Sequence, residues 1–360
     1  MNFKQVEKIA DAVLYEGYIL YPYRASAVKN QQRFNFGALL PESYCEAQRG
    51  SEHSSLQTEC LVLSKAHTTI AIKVRFLHLM ARDIYQLADA PIADASDDGE
   101  LASALATKLQ AVEALEVDGQ FFQRWQEATE REFNAPNLQL DELLAKPQQL
   151  TFSFPAKLER ELLRDANQAV VGAVIRTQQT IAGTIELQAQ DTGLPVDSPE
   201  RLCKLTVRLL NLTRLDDANG KTRDEALLYA LASAHTILGV QGGEFVSLLE
   251  PPETFSEAVA DCQNLGTYPV LAGEAGARAV MLSSPIILYD YPQIAPESDG
   301  DLFDGTEIDE ILLLRIMTLT DEEKREMRAV DERARKILDR VESLPPEQLM
   351  KLHGALRERI

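Results

Sequence analysis

From position 68 to 76 the chain alternates, with Ile70, Ile72, Val74 and Phe76 on one side of an extended backbone and Thr69, Ala71, Lys73 and Arg75 on the other. A period of two marks a strand buried on one face, because a helix would scatter these apolar residues around its axis. Residues 59–63 read as a second half-buried strand. The alternation returns at 202–210, where Cys203, Leu205, Val207 and Leu209 oppose Lys204, Thr206 and Arg208. Residues 150–154, 169–177 and 180–189 carry strand character too, and Asp191-Thr192-Gly193 and Asp217-Ala218-Asn219-Gly220 are turn signals. Strands spaced this way predict an antiparallel, sandwich-like sheet.

Helical spacing frames this body. Phe3, Val6, Ile9, Ala10, Val13 and Leu14 recur at three and four, predicting an amphipathic helix that ends before Gly17. Residues 18–23 and 33–40 read as short strands, 89–99 as an acidic loop, and 100–114 as a short helix; the aromatic spacing over 121–133 suits a helix at least as well as a strand. Beyond Gly220 the expectation is mixed: helix at 223–235, extended chain at 237–240, a break at Gly242-Gly243, a helix over 254–264 ended by Gly266, then strands at 268–271 and 280–290. Thr306-Glu307-Ile308-Asp309 and Thr320-Asp321-Glu322-Glu323 both resemble capping boxes, and a last helix opens at Pro345-Pro346. The expected class is α+β: an antiparallel sandwich-like β body with an N-terminal helix (1–220), a mixed α/β segment with an acidic loop (221–315) and a C-terminal helical hairpin (316–360).

The formal net charge of −20 and pI near 4.7 argue against unaided binding to nucleic acid or anionic membranes, since phosphate selects clustered Lys and Arg. No signal-peptide core or long apolar run appears, so the expectation is a cytoplasmic chain without membrane insertion. The four cysteines, Cys45, Cys60, Cys203 and Cys262, form no CxxC pair and read as buried free thiols. Asn211-Leu212-Thr213 matches a glycosylation acceptor, which without secretion means nothing.

Charge concentrates between Asp290 and Glu310, with eight carboxylates (Asp290, Glu297, Asp299, Asp301, Asp304, Glu307, Asp309, Glu310) and no basic residue. Asp299, Asp301, Asp304 and Glu310 echo a hard-cation ligand set, but an EF-hand register starting at Asp299 puts Asp304 where glycine is needed. The preferred reading is a solvated, helix-capping or partner-facing loop, with no cofactor. Arg24, Lys29 and Arg33, set among Tyr18, Tyr21 and Tyr23, form the most basic local patch; they can take an anionic ligand, or balance the acidic loop within the molecule. No GxSxG elbow exists, Gly239–Gly243 and Gly273–Gly276 are turns and not phosphate loops, and His235 on its apolar stretch reads as a core histidine before a partner for Cys262 and Glu244.

Four stretches, GYILYPYRASAVKNQQRFNFGALLP, HTILGVQGGEFVSLLEPPE, NLGTYPVLAGE and SPIILYDYPQIAPESDGDLFDGTEIDEILLLRIMTLTDEEKREMRA, together resemble an uncharacterised bacterial family. Its members are encoded beside uptake nickel-iron hydrogenase genes in aerobic hydrogen-oxidising bacteria. The resemblance spans nearly the whole chain and is weakest over 89–118 and in the middle strands. It implies a setting, hydrogenase assembly or function, and transfers no catalytic residue. The resulting expectation is an accessory protein, more a docking partner than an enzyme, that contacts a hydrogenase subunit or maturation factor through Asp299, Asp301, Asp304, Glu307 and Asp309, with Arg24, Lys29 and Arg33 as further contact residues. The alternative is a metal-dependent hydrolase using the acidic loop at 299–310, in which the ion activates water.

Overall fold

The computed structural model describes residues 3–14, 36–88, 108–196, 200–293 and 319–330, with Arg335, Leu338, Asp339, Glu342 and Ser343. The fold is α+β, dominated by antiparallel sheet with a few short helices. Its axis is β1 (Ser55–Leu87), which contains the 68–76 alternation and continues well beyond it. Along one edge β1 pairs in turn with β11 (Arg201–Asn211), β6 (Leu138–Gln139), β5 (Trp125–Asn134) and β2 (Leu109–Val112). Along the other it pairs with β12 (Ala232–Phe245) and then β9 (Val170–Gln178). Every partner is antiparallel, and the register shifts between Ser64 and Thr69 and between Arg75 and Leu77. Such bulges bend and coil a strand, which lets one chain serve successive neighbours.

The main path runs β13 (Tyr268–Leu271), β14 (Val280–Ser284), β12, β1, β11, β10 (Ile181–Asp191) and β7 (Gln148–Phe154), with β8 (Lys157–Arg164) on β9. Strands from both sides of residue 220 therefore share one sheet. A separate hairpin joins β3 (Ala114–Val117) to β4 (Gln120–Gln123). One face of the curled sheet encloses the main core, where Ile70, Ile72, Val74 and Phe76 meet Leu205, Val207, Leu238 and Phe152. Phe76 and Phe133 each stack on Phe152, at centroid distances of 5.9 and 5.1 Å.

Helix α1 (Lys4–Leu14) lies across the opposite face, burying Val6, Ile9, Ala10, Val13 and Leu14 as its spacing predicts. Burial on this scale contributes roughly 1.5–3 kcal/mol for each large aliphatic side chain. The short helices α2 (Glu42–Ala47) and α3 (Leu140–Ala145) close the ends of the sheet. Helix α4 (Arg223–Leu227) starts at a capping box in which Thr222 and Glu225 satisfy each other's backbone. After α5 (Ser256–Ala260), the final described helix, α6 (Asp321–Val330), opens on a second reciprocal box, with the Thr320 amide donating to Glu323 at 2.8 Å and the Glu323 amide to Thr320 Oγ1 at 3.2 Å.

Several expectations need correction, the first being the short helix expected over 100–114, whose described end is strand β2. The helix expected over 223–235 stops at Leu227, and Ala232 onward is strand. Residues 121–133 are strands β4 and β5, and the helix expected over 254–264 shrinks to a single 3-10 turn and α5. The strand expected over 280–290 ends at Ser284, before Pro285. Asn211 is buried, donating to the carbonyls of Leu39 and Tyr229 at 2.8 and 2.9 Å, so it ties three segments together and is closed to glycosylation.

Candidate functional site

All eight contact residues expected from sequence, Arg24, Lys29, Arg33, Asp299, Asp301, Asp304, Glu307 and Asp309, lie outside the described residues. The described chain shows how the acidic stretch is launched. β13 is the last strand of the sheet path, and its outer edge is closed in three ways. Pro269 has no N–H to offer, the Leu271 amide donates to Asp290 Oδ1 at 2.7 Å, and the Leu271 carbonyl accepts from the Tyr291 amide at 2.7 Å. Blocking an edge this way prevents pairing with a stray strand. Asp290 also accepts from Ser247 Oγ, which in turn accepts the amides of Leu249 and Glu250 at 3.2 and 2.8 Å. The first of the eight carboxylates is therefore spoken for inside the molecule.

The neighbouring loop is fixed just as firmly. Asn264 imitates a strand residue: its Oδ1 accepts from the Glu59 amide at 2.8 Å and its Nδ2 donates to the Glu59 carbonyl at 3.2 Å. Leu265 and Gln57 exchange two backbone hydrogen bonds at 3.0 and 2.9 Å. The buried Glu59 carboxylate accepts from the Gln263 amide at 2.8 Å and Thr206 Oγ1 at 3.0 Å. A buried hydroxyl chain completes the frame, with Ser283 Oγ 2.7 Å from Thr58 Oγ1 and 2.6 Å from Thr267 Oγ1.

On this rigid frame stand Leu249, Leu265, Tyr268, Ile287 and Tyr289, five of the eight large apolar side chains exposed among the described residues. Ile287 is 72% and Tyr289 85% exposed, values that leave almost the whole side chain to water. Glu250, Glu253, Glu257 and Glu274 are exposed in the same stretch, and between positions 244 and 314 the sequence holds 14 acids against Arg278 alone. Large apolar side chains left exposed on an anchored backbone mark a candidate interaction site.

A second charged site was not legible in the sequence. Lys73 and Arg75 leave β1 beneath α1, where Lys73 meets Glu7 at 2.6 Å and Glu132 at 2.9 Å, and Arg75 meets Asp11 at 2.5 Å and Glu130 at 3.3 Å. Arg75 also donates to the Glu7 carbonyl at 3.3 Å. Burial acts to lower the Lys73 pKa, but its hydrogen bonds to Glu7 and Glu132 outweigh that and leave it raised. For Glu132 burial acts upward, and hydrogen bonds from Lys73 and Asn134 bring it below the usual range. These pairs seat the helix.

The nucleophile reading finds no assembled site. His235 is fully buried on β12, with Nδ1 donating to the Ser233 carbonyl at 2.6 Å, and burial lowers its pKa to about 4. Glu244 lies nine residues along the same strand, roughly 30 Å away at strand spacing. Cys262 packs against the Leu61, Leu202 and Val246 cluster instead. Burial, with Glu52 and Glu59 respectively as the next cause, raises the Cys45 and Cys262 thiols to about 11, and burial raises Cys60 and Cys203 as well. Cys45, Cys60 and Cys203 are buried free thiols, as the sequence suggests, and Cys262 is half-buried.

Among the described residues, no group of three or more His, Cys, Asp or Glu side chains is placed to hold a metal ion, and no helix is long and apolar enough to cross a membrane. No family model matches the chain, and no curated protein matches it.

Proposed function

We propose that the protein acts by contact, as an accessory factor in the assembly or maturation of an uptake nickel-iron hydrogenase, and that it docks its partner on the β13–β14 end of the sheet. The observation that carries the docking reading is the exposure of Ile287 and Tyr289 on a segment whose backbone is clamped by Asp290. A fixed, exposed aromatic loses little conformational entropy on binding, which is why such residues dominate interface energetics. The acidic stretch that follows, with Asp299, Asp301, Asp304, Glu307 and Asp309, selects a partner surface rich in Lys and Arg and speeds encounter. The hydrogenase setting rests on the sequence resemblance.

The test is gentle affinity purification from the native host, comparing the native chain with an Ile287→Asp, Tyr289→Asp variant. A hydrogenase subunit or maturation factor should accompany the native chain and be lost from the variant at unchanged thermal stability. Recovery of the chain alone, or of the same partner with both chains, overturns the proposal.

A further inference from the structure

Arg131 stands on β5 opposite Phe76, on the inner face of the curled sheet. Its half-buried guanidinium lies over the Phe154 ring, 5.1 Å from the centroid. Nη2 donates to Gln178 Oε1 at 2.9 Å, and Nε is 3.5 Å from His78 Nδ1. Gln178 is held in turn by donating to the His78 carbonyl at 3.2 Å. The group is oriented from three sides: by an aromatic platform, by an amide and by an imidazole.

What it lacks is a counter-charge. Arg75, Arg82, Arg176 and Arg223 each meet at least one carboxylate within 4 Å, and Arg176 meets two. Arg131 meets none among the described residues, in a chain with 56 carboxylates to 36 Lys and Arg. Strand alternation explains the gap: Glu130 and Glu132, its neighbours on β5, face the other way, towards Lys73 and Arg75 beneath α1. The adjacent histidine adds no negative charge and is itself shaped by the cation. Burial and then the Arg131 charge lower the His78 pKa to about 4, against a weaker opposing contribution from the Gln179 backbone, so His78 is neutral at pH 7.

We propose that Arg131 forms the charged floor of a binding subsite for a small oxyanion, a carboxylate or phosphate group, on the inner face between β5, β9 and the end of β7. The planar guanidinium retains Nη1 as a donor, since Nε and Nη2 face His78 and Gln178. Phe154 beneath the guanidinium excludes water from one side, which strengthens a charge-assisted hydrogen bond made on the other. An oxyanion seated there supplies the counter-charge that the alternation of β5 withholds. It also relieves the repulsion that Arg131 exerts on a protonated His78, so ligand binding and His78 protonation are coupled.

The test uses the full-length protein labelled with ¹⁵N-histidine. It is titrated at pH 7 with sodium phosphate and, separately, sodium benzoate, at an ionic strength fixed with sodium chloride. Saturable shifts of the His78 resonances with either salt, weakened at least tenfold in Arg131→Gln and partly restored in Arg131→Lys, support the subsite, and the stronger salt identifies the headgroup. A His78 titration midpoint that moves upward in the saturated protein confirms the coupling. Absence of saturable binding above the chloride control for both salts, or equal binding by Arg131→Gln, overturns it. Gln178→Leu, which keeps the charge and removes the orienting acceptor, should bind several-fold more weakly, and it decides the matter should Arg131→Gln fail to fold.

Discussion

Removing the Asp290 carboxylate should loosen the end of the sheet on which the proposed docking surface stands. Asp290→Ala deletes two acceptor interactions, one with the Leu271 amide at 2.7 Å and one with Ser247 Oγ. Hydrogen bonds to a charged group are worth about 1.5–3 kcal/mol each when buried, and the half-buried setting of Asp290 places both at the low end, for a total near 3 kcal/mol. With a urea m-value of about 3 kcal/mol/M, the midpoint should fall by about 1 M. Asp290→Asn retains one acceptor oxygen and should lose about half as much. The local readout is hydrogen exchange: the Leu271 amide should lose its protection in Asp290→Ala, while the Tyr291 amide, bonded to the Leu271 carbonyl, keeps most of its own. An unchanged midpoint together with an unchanged Leu271 exchange rate would refute the clamp.

Two further outcomes follow from burial. His78 and His235 have folded pKa values near 4 against about 6.5 unfolded, so their contribution is fully present above pH 6.5 and is lost as pH falls towards 4. Each is worth up to about 3 kcal/mol, and His235→Phe should flatten the fall in urea midpoint between pH 6.5 and 4.5; an identical slope in the variant would sink the assignment. Phe76→Ala removes a fully buried ring from the stack with Phe152 and should cost about 3–5 kcal/mol by denaturant unfolding, with Phe76→Leu costing much less. A loss below about 1 kcal/mol would mean that the aromatic cluster is not the core of the sheet.

The sheet could be read from its alternating strands because polar residues fill one face of each, left open to water on β11 and covered by α1 on β1. Lys204, Thr206 and Arg208 on β11 are the visible half of that pattern. β12 was read as extended only over 237–240, because nine consecutive residues from Ala232 to Val240 are buried on both faces, which leaves no period of two to detect. Its glycines read as turns, yet Gly243 sits where a Cβ would come within 2.7 Å of the Leu63 carbonyl, and Gly242 takes a positive φ beside the register shift. In both cases the reason is the close approach of β1, a long-range fact with no local signature. The proposed docking surface was half legible: the charge run shows in the sequence, but the partners that hold Asp290 lie at Leu271 and Ser247. Arg131 was invisible for the same reason, since its isolation from carboxylates depends on which way each residue of β5 points.

The pairings of β1 also set a schedule. Ser64 must wait for Arg201 on one edge and Val62 for Phe245 on the other before the first half of the strand is covered. A nascent chain can cover residues 69–87 on one edge of β1 once β2, β5 and β6 have been made, but residues 55–64 of that edge stay open until β11, and residues 62–77 of the other edge until β12, leave the ribosome. Long-range antiparallel pairing is slow to form and invites association with other chains in the interval. Folding yield, more than final stability, should be the quantity most sensitive to expression rate, temperature and holdase chaperones, and substitutions that add edge charge to β1 are the ones to examine for it.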